Sequence, residues 1–118
     1  MPELTPVPPG FPVVEINGRK LAFKMTFDDD CVADQHMIAC IQQFGCCEPE
    51  VVHLMARVVR PGDFVIDGGA NIGYFTMLLS QLVGERGIVY AVEPGQNNLW
   101  KLEENVRANN YKNVQKDR

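Results

Sequence analysis

The sequence predicts an α/β fold, the front of a parallel sheet preceded by a β-hairpin and two helices. Three observations carry this. Two short apolar runs, Phe64-Val65-Ile66 and Ile88-Val89-Tyr90-Ala91-Val92, read as strands buried on both faces. Each is followed by a stretch with helical apolar spacing, Tyr74 to Val83 and about Asn97 to Asn109. A glycine-rich turn, Asp67 to Gly73, joins the first strand to its helix. Strand, helix, strand, helix at this spacing is a right-handed βαβ unit.

The elements follow in chain order. Met1 to Pro12 holds five prolines and reads as an extended, poorly ordered lead-in. Asn17-Gly18 lies between two apolar-rich runs, and both central positions of a tight hairpin turn want φ > 0. Val13 to Ile16 and Arg19 to Met25 are therefore expected to pair. Asp28-Asp29-Asp30 reads as a solvated turn before a helix, where negative charge suits the dipole. A first helix is expected from about Val32 to Phe44, with Met37, Ile38, Ile41 and Phe44 on one side and Gly45 as its stop. A second begins near Glu48 with Pro49 in its first turn. Its apolar stripe is Val51, Val52, Met55, Val58 and Val59, and Pro61-Gly62 ends it. Val114 looks like the opening of a third parallel strand. The organisation is thus a lead-in at 1–12, a hairpin and helices at 13–62, and a partial α/β cofactor domain at 63–118.

Bulk properties narrow the function classes. The chain has 118 residues, 46% of them hydrophobic, so one domain with a core is expected. A net charge of −4 does not favour nucleic acid, because neutralising phosphates needs a basic face. No run approaches the roughly 20 apolar residues that span a bilayer, and the first residues lack the pattern of a secretory signal. The expectation is a cytoplasmic protein with neither membrane nor nucleic-acid partners. The four cysteines, Cys31, Cys40, Cys46 and Cys47, then read as free thiols. A zinc set of Cys31, His36, Cys40 and Cys46 matches no standard ligand spacing. His53, on the second helix, is assigned no catalysis.

The chemistry lies in the turn after Ile66. Gly69 and Gly73 have no Cβ to obstruct a ligand approaching the backbone. Asn71 tolerates a left-handed conformation, and the helix beginning near Gly73 points free N–H groups into the same space. Some 24 residues beyond Gly69, Glu93 ends the second strand, where a carboxylate accepts both hydroxyls of an adenosine ribose. A dinucleotide site wants G-x-G-x-x-G, but Ala70 stands where the middle glycine belongs. Asp67, just before the turn, is unhelpful beside a pyrophosphate. It suits the sulfonium and ammonium of S-adenosylmethionine.

The acid-x-Gly-x-Gly-x-Gly motif of class I methyltransferases maps onto Asp67-x-Gly69-x-Asn71-x-Gly73. The string from Arg60 to Val114 resembles the FkbM family of methyltransferases, in which the middle glycine is usually asparagine within Gly-Ala-Asn-x-Gly. Glu93-Pro94 and the Leu-x-x-Asn of the last helix, Leu102 to Asn105, also belong to that pattern. The resemblance covers Gly45 to Val114 and implies a Rossmann-like class I methyltransferase fold. It implies S-adenosylmethionine as cofactor, with Asp67, Gly69, Asn71 and Gly73 along its methionine and ribose portion and Glu93 on the ribose hydroxyls. Gly68, Ala70 and Tyr74 would be near neighbours. Glu48-Pro49 also resembles a family feature. Glu48 is read first as a helix-start charge, with a reach to the cofactor's amino group as the alternative. Phe75, Leu78, Leu79 and Trp100 are read as packing residues.

The expected function is methyl transfer from S-adenosylmethionine, to an oxygen of a small molecule or saccharide. The family's sheet has more strands than are recognisable here, so the chain reads as stopping before the acceptor site and the catalytic residues. An open sheet edge would then invite self-association. The competing readings are a NAD-binding oxidoreductase domain and a non-catalytic fragment.

Overall fold

A computed structural model describes residues 13–16, 19–27 and 31–118. The proline-rich lead-in, the Asn17-Gly18 turn and the Asp28–Asp30 run lie outside the described residues. Strands β1 (Val13–Ile16) and β2 (Arg19–Ala22) pair antiparallel, with Ile16 opposite Arg19. Helices α1 (Val32–Phe44) and α2 (Pro49–Val58) follow. Then come β3 (Phe64–Gly68), α3 (Tyr74–Val83), β4 (Ile88–Val92), α4 (Gln96–Ala108) and β5 (Val114–Asp117). The second sheet is parallel in the order β3-β4-β5, with Phe64 opposite Ile88 and Val89 opposite Val114.

Helix ends follow local chemistry. Gly45, at φ 80°, closes α1 by donating its N–H to Ile41 O. Pro49 opens α2 where its missing N–H costs nothing. At the end of α3, the Asn113 side chain donates to Ser80 O and Gly84 O, each at 2.8 Å, adding a second bond to carbonyls that also accept from Gly84 N and Gly87 N.

One core runs through the fold. Leu21, Phe23, Met25, Ile41 and Val52 from the first half pack with Ile72, Tyr74, Met77, Leu102 and Val106 from the second. A smaller cluster of Leu79, Val83 and Val89 takes in Met55 of α2, Val59 just after it and Val65 of β3.

Three expectations are corrected. The strand expected over Arg19–Met25 ends at Ala22. Its alternation continues, with Phe23 and Met25 buried and Lys24 and Thr26 exposed. The backbone there is held by side-chain amides rather than by another strand. Asn109 accepts from Lys24 N at 2.7 Å and donates to Lys24 O at 2.8 Å, Asn105 accepts from Thr26 N at 2.8 Å, and Gln81 donates to Ala22 O at 2.8 Å. Second, the apolar stripe of α2 is only partly used. Val52 is 1% exposed and Met55 and Val59 half-buried, whereas Val51 and Val58 are 41% and 64% exposed. Third, the parallel strands are not buried on both faces, since Phe64 and Ile66 are 62% and 65% exposed. Among the described residues the helices cover one face of the sheet, which leaves these alternate side chains outward.

Candidate functional site

The turn leaves the carboxyl end of β3, where ligands of open α/β sheets bind. Three of its residues are left-handed, Gly69 at φ 72°, Asn71 at 56° and Gly73 at 104°. The N–H groups of Gly69 and Ala70 both reach Val92 O, at 2.9 and 3.0 Å, so the chain folds back over the end of β4. Asparagine suits this conformation because its short polar side chain lowers the usual cost.

The two glycines act for different reasons. A Cβ on Gly69 or Gly68 would meet nothing within 4 Å, so this side of the turn opens to space a ligand can enter. A Cβ on Gly73 would stand 2.5 Å from Leu102 Cδ1. Gly73 therefore faces α4 behind the turn and holds a φ that favours glycine, and the expectation that its missing Cβ clears a ligand's path is corrected. Ala70 is 6% exposed and belongs to the core.

Glu93 joins the site from β4. The residue is 7% exposed. It accepts from Asn71 N and from Gly95 N, each at 2.8 Å, with one oxygen for each donor. The sequence reading missed this bracing of the turn. A carboxylate has about four lone-pair positions, so two bonds leave room for two more donors.

Asp67, at the end of β3, accepts from Thr76 Oγ1 at 2.6 Å. Burial pushes its carboxyl above the usual carboxylate range, and the Thr76 hydrogen bond partly offsets this. Thr76, fully buried in the first turn of α3, carries no motif signature and was not foreseen. Tyr74, at the start of α3, is held by the segment that joins α1 to α2. It is 3% exposed, packs edge-on against Phe75, and its hydroxyl accepts from Cys47 N at 2.8 Å. Burial raises its phenol well above the ordinary value. Glu48 is exposed at φ 51° at the start of α2 and makes no side-chain cap bond. A cleft of about 690 Å³ lies at the opposite rim of the sheet, between Gly84–Gly87 and Asn110–Asn113. It touches none of these residues.

An open glycine turn flanked by two carboxylates fits a cofactor with a cationic amino-acid end and a ribose. The parallel β3-α3-β4-α4-β5 succession is that of the class I methyltransferase fold, whose members use S-adenosylmethionine. The chain belongs to the protein-L-isoaspartate(D-aspartate) O-methyltransferase family, whose model matches residues 22–117. It is similar in structure to a protein-L-isoaspartate O-methyltransferase at 30% identity and TM-score 0.55, over 58% of this chain and 22% of that one. A SAM-dependent methyltransferase from Aquifex aeolicus is similar at 29% identity and TM-score 0.58, over 76% of this chain and 46% of that one. A methyltransferase from Streptococcus mutans, solved in complex with SAH, matches at 27% identity and TM-score 0.53, over 58% and 38%. The FkbM resemblance is not confirmed by these matches, which establish the broader class.

A tRNA (cytosine(72)-C(5))-methyltransferase from Pyrococcus horikoshii is 38% identical over 61 residues, 50% of this chain and 16% of that protein. This relative overturns the expectation of no nucleic-acid partner. Net charge averages over the surface and says nothing of a local basic face or of residues elsewhere in a longer enzyme. The chain spans less than half the length of each of these relatives. No helix among the described residues is long and apolar enough to cross a membrane.

Proposed function

We propose that residues 63–118 hold S-adenosylmethionine on the turn Asp67–Gly73 and on Glu93, and that residues 13–62 brace this unit. The observation that carries the reading is the bond from Asn71 N to Glu93 Oε1. It unites the acid after β4 with the turn after β3 in one site. In this reading Gly68 and Gly69 give the cofactor its line of approach. Asp67 faces the cationic amino-acid end, and the free lone pairs of Glu93 accept the ribose hydroxyls. Ala70, Asn71, Gly73 and Tyr74 shape the turn. The bound cofactor supplies an electrophilic methyl group, and the chain's part is to position it.

The acceptor we propose is an oxygen of a small molecule or saccharide, which rests on the FkbM resemblance and on the O-methyl chemistry in the matched family's description. The relative acting on tRNA favours a second reading, a nucleic-acid acceptor. Calorimetric titration with S-adenosylhomocysteine and with NAD tests the cofactor. Binding of the first alone is expected, and binding of NAD alone would restore the oxidoreductase reading. A labelled-methyl assay offering hydroxyl compounds, saccharides and tRNA decides between the acceptors.

A further inference from the structure

The Leu-x-x-Asn pair of α4 clasps the glycine turn from behind. Leu102 fills the space beside Gly73, and Asn105 Nδ2 donates to Ile72 O at 2.9 Å. Asn105 is 0% exposed, and its other amide atom, Oδ1, accepts from Thr26 N at 2.8 Å. One buried side chain thus holds the turn with its donor and the segment Ala22–Thr26 with its acceptor. Among the described residues that segment has no strand partner beyond Ala22, and it lies over α3 and α4 on bonds from Gln81, Asn105 and Asn109. An amide with both ends committed in the core tolerates little displacement of either partner, because a buried polar group left without its partner keeps the full cost of leaving water.

We propose that Asn105 is a positioning residue that couples docking of the segment Ala22–Thr26 to the geometry of the cofactor turn, so that filling the site tightens the segment. This rests on the cofactor reading above. By linkage, each event favours the other by the same factor. Asn109 holds the same segment at Lys24 without touching the turn, which makes it the control.

The test is residue-resolved amide exchange on the full chain, with Leu78 and Val89 reporting global opening. Without ligand, Asn105→Asp should speed exchange at Asn71 and Gly73 about tenfold relative to Leu78 and Val89, while Asn109→Ala leaves that ratio unchanged. With saturating S-adenosylhomocysteine, Thr26 exchange should slow about fivefold or more, the usual lower range of coupling between sites. Asn105→Asp should abolish this slowing. If Asn105→Asp does not fold, Thr26→Pro removes the bond from the other side and should likewise speed Asn71 and Gly73. Changes at Asn71 and Gly73 that merely track Leu78 and Val89 would overturn the proposal, as would a Thr26 rate indifferent to bound ligand. Failure of the wild type to bind S-adenosylhomocysteine would sink the cofactor reading instead, and the ligand-free arm would still decide the role of Asn105.

Discussion

At the scale of single residues, Gly69 and Gly73 separate conformational need from packing need. Both have positive φ, so any side chain there carries about 1–2 kcal/mol of strain. Gly73→Ala also drives a methyl group into Leu102, and overpacking adds about 1–3 kcal/mol. Urea denaturation should therefore show Gly73→Ala losing clearly more stability than Gly69→Ala. Gly69→Val should abolish cofactor binding with the fold largely kept. Asn71→Gly should retain both, since its bond to Glu93 uses the backbone N–H. Equal losses for the two alanine variants would show that Leu102 yields freely.

Glu93 and Asp67 behave as two kinds of carboxylate. Glu93→Ala removes two charge-assisted acceptor bonds from the turn as well as any bond to a ribose. Calorimetry should find S-adenosylhomocysteine binding weaker by about 1.5–3 kcal/mol, the range for bonds to charged groups, and unchanged affinity would remove Glu93 from the ribose role. Asp67 is held above the usual carboxylate range by burial, so folding favours its protonated form. It contributes stability that is complete below the unfolded carboxylate value and is lost as pH rises through the raised folded value. Asp67→Asn removes that loss. The variant should gain on the wild type from acid to neutral pH in denaturation curves, and a pH-independent difference would refute the assignment.

At the scale of elements, α2 shows how little of an apolar stripe must be buried to seat a helix. Val52 is 1% exposed, and truncating it to alanine should cost about 1.5–3 kcal/mol by loss of buried methyl groups. Val58, 64% exposed on the same helix, should change stability by no more than about 0.5 kcal/mol on the same substitution. Thermal melts of the two variants measure both. A large loss at Val58 would mean that this outer face is covered in solution. The segment after β2 makes a related point, because strand-like alternation needs backbone partners but not a neighbouring strand. Asparagine and glutamine side chains carry the same donor and acceptor groups as a peptide and serve in its place.

At the scale of the whole molecule, the first and second halves share one core cluster. Unfolding should therefore be a single cooperative transition, with exchange of the Thr26 amide and far-UV circular dichroism lost at the same urea concentration. Release of Thr26 at clearly lower urea would show that the N-terminal segments form a separate cooperative unit. Cooperativity also bears on the site, since the turn is braced from β4 by Glu93 and from α4 by Asn105, two elements that meet only in the folded chain.

The sequence by itself determined what depends on near neighbours. Helical spacing with Gly45 and Pro49 set the bounds of α1 and α3 and the start of α2 to within a residue or so, while α2 ends at Val58, short of Pro61-Gly62. The apolar runs placed β3 and β4, and the acid, the glycines and Asn71 marked the turn. These are legible because φ preference, capping and periodicity act over a few residues. The tertiary structure alone decided which face of the sheet is covered, and that Glu93 braces Asn71. It also decided that Gly73 answers to Leu102, and that Asn109 stands in for a strand 85 positions away from it at Lys24. The physical reason is that every backbone donor and acceptor taken from water needs a partner. No local pattern says which distant residue supplies it.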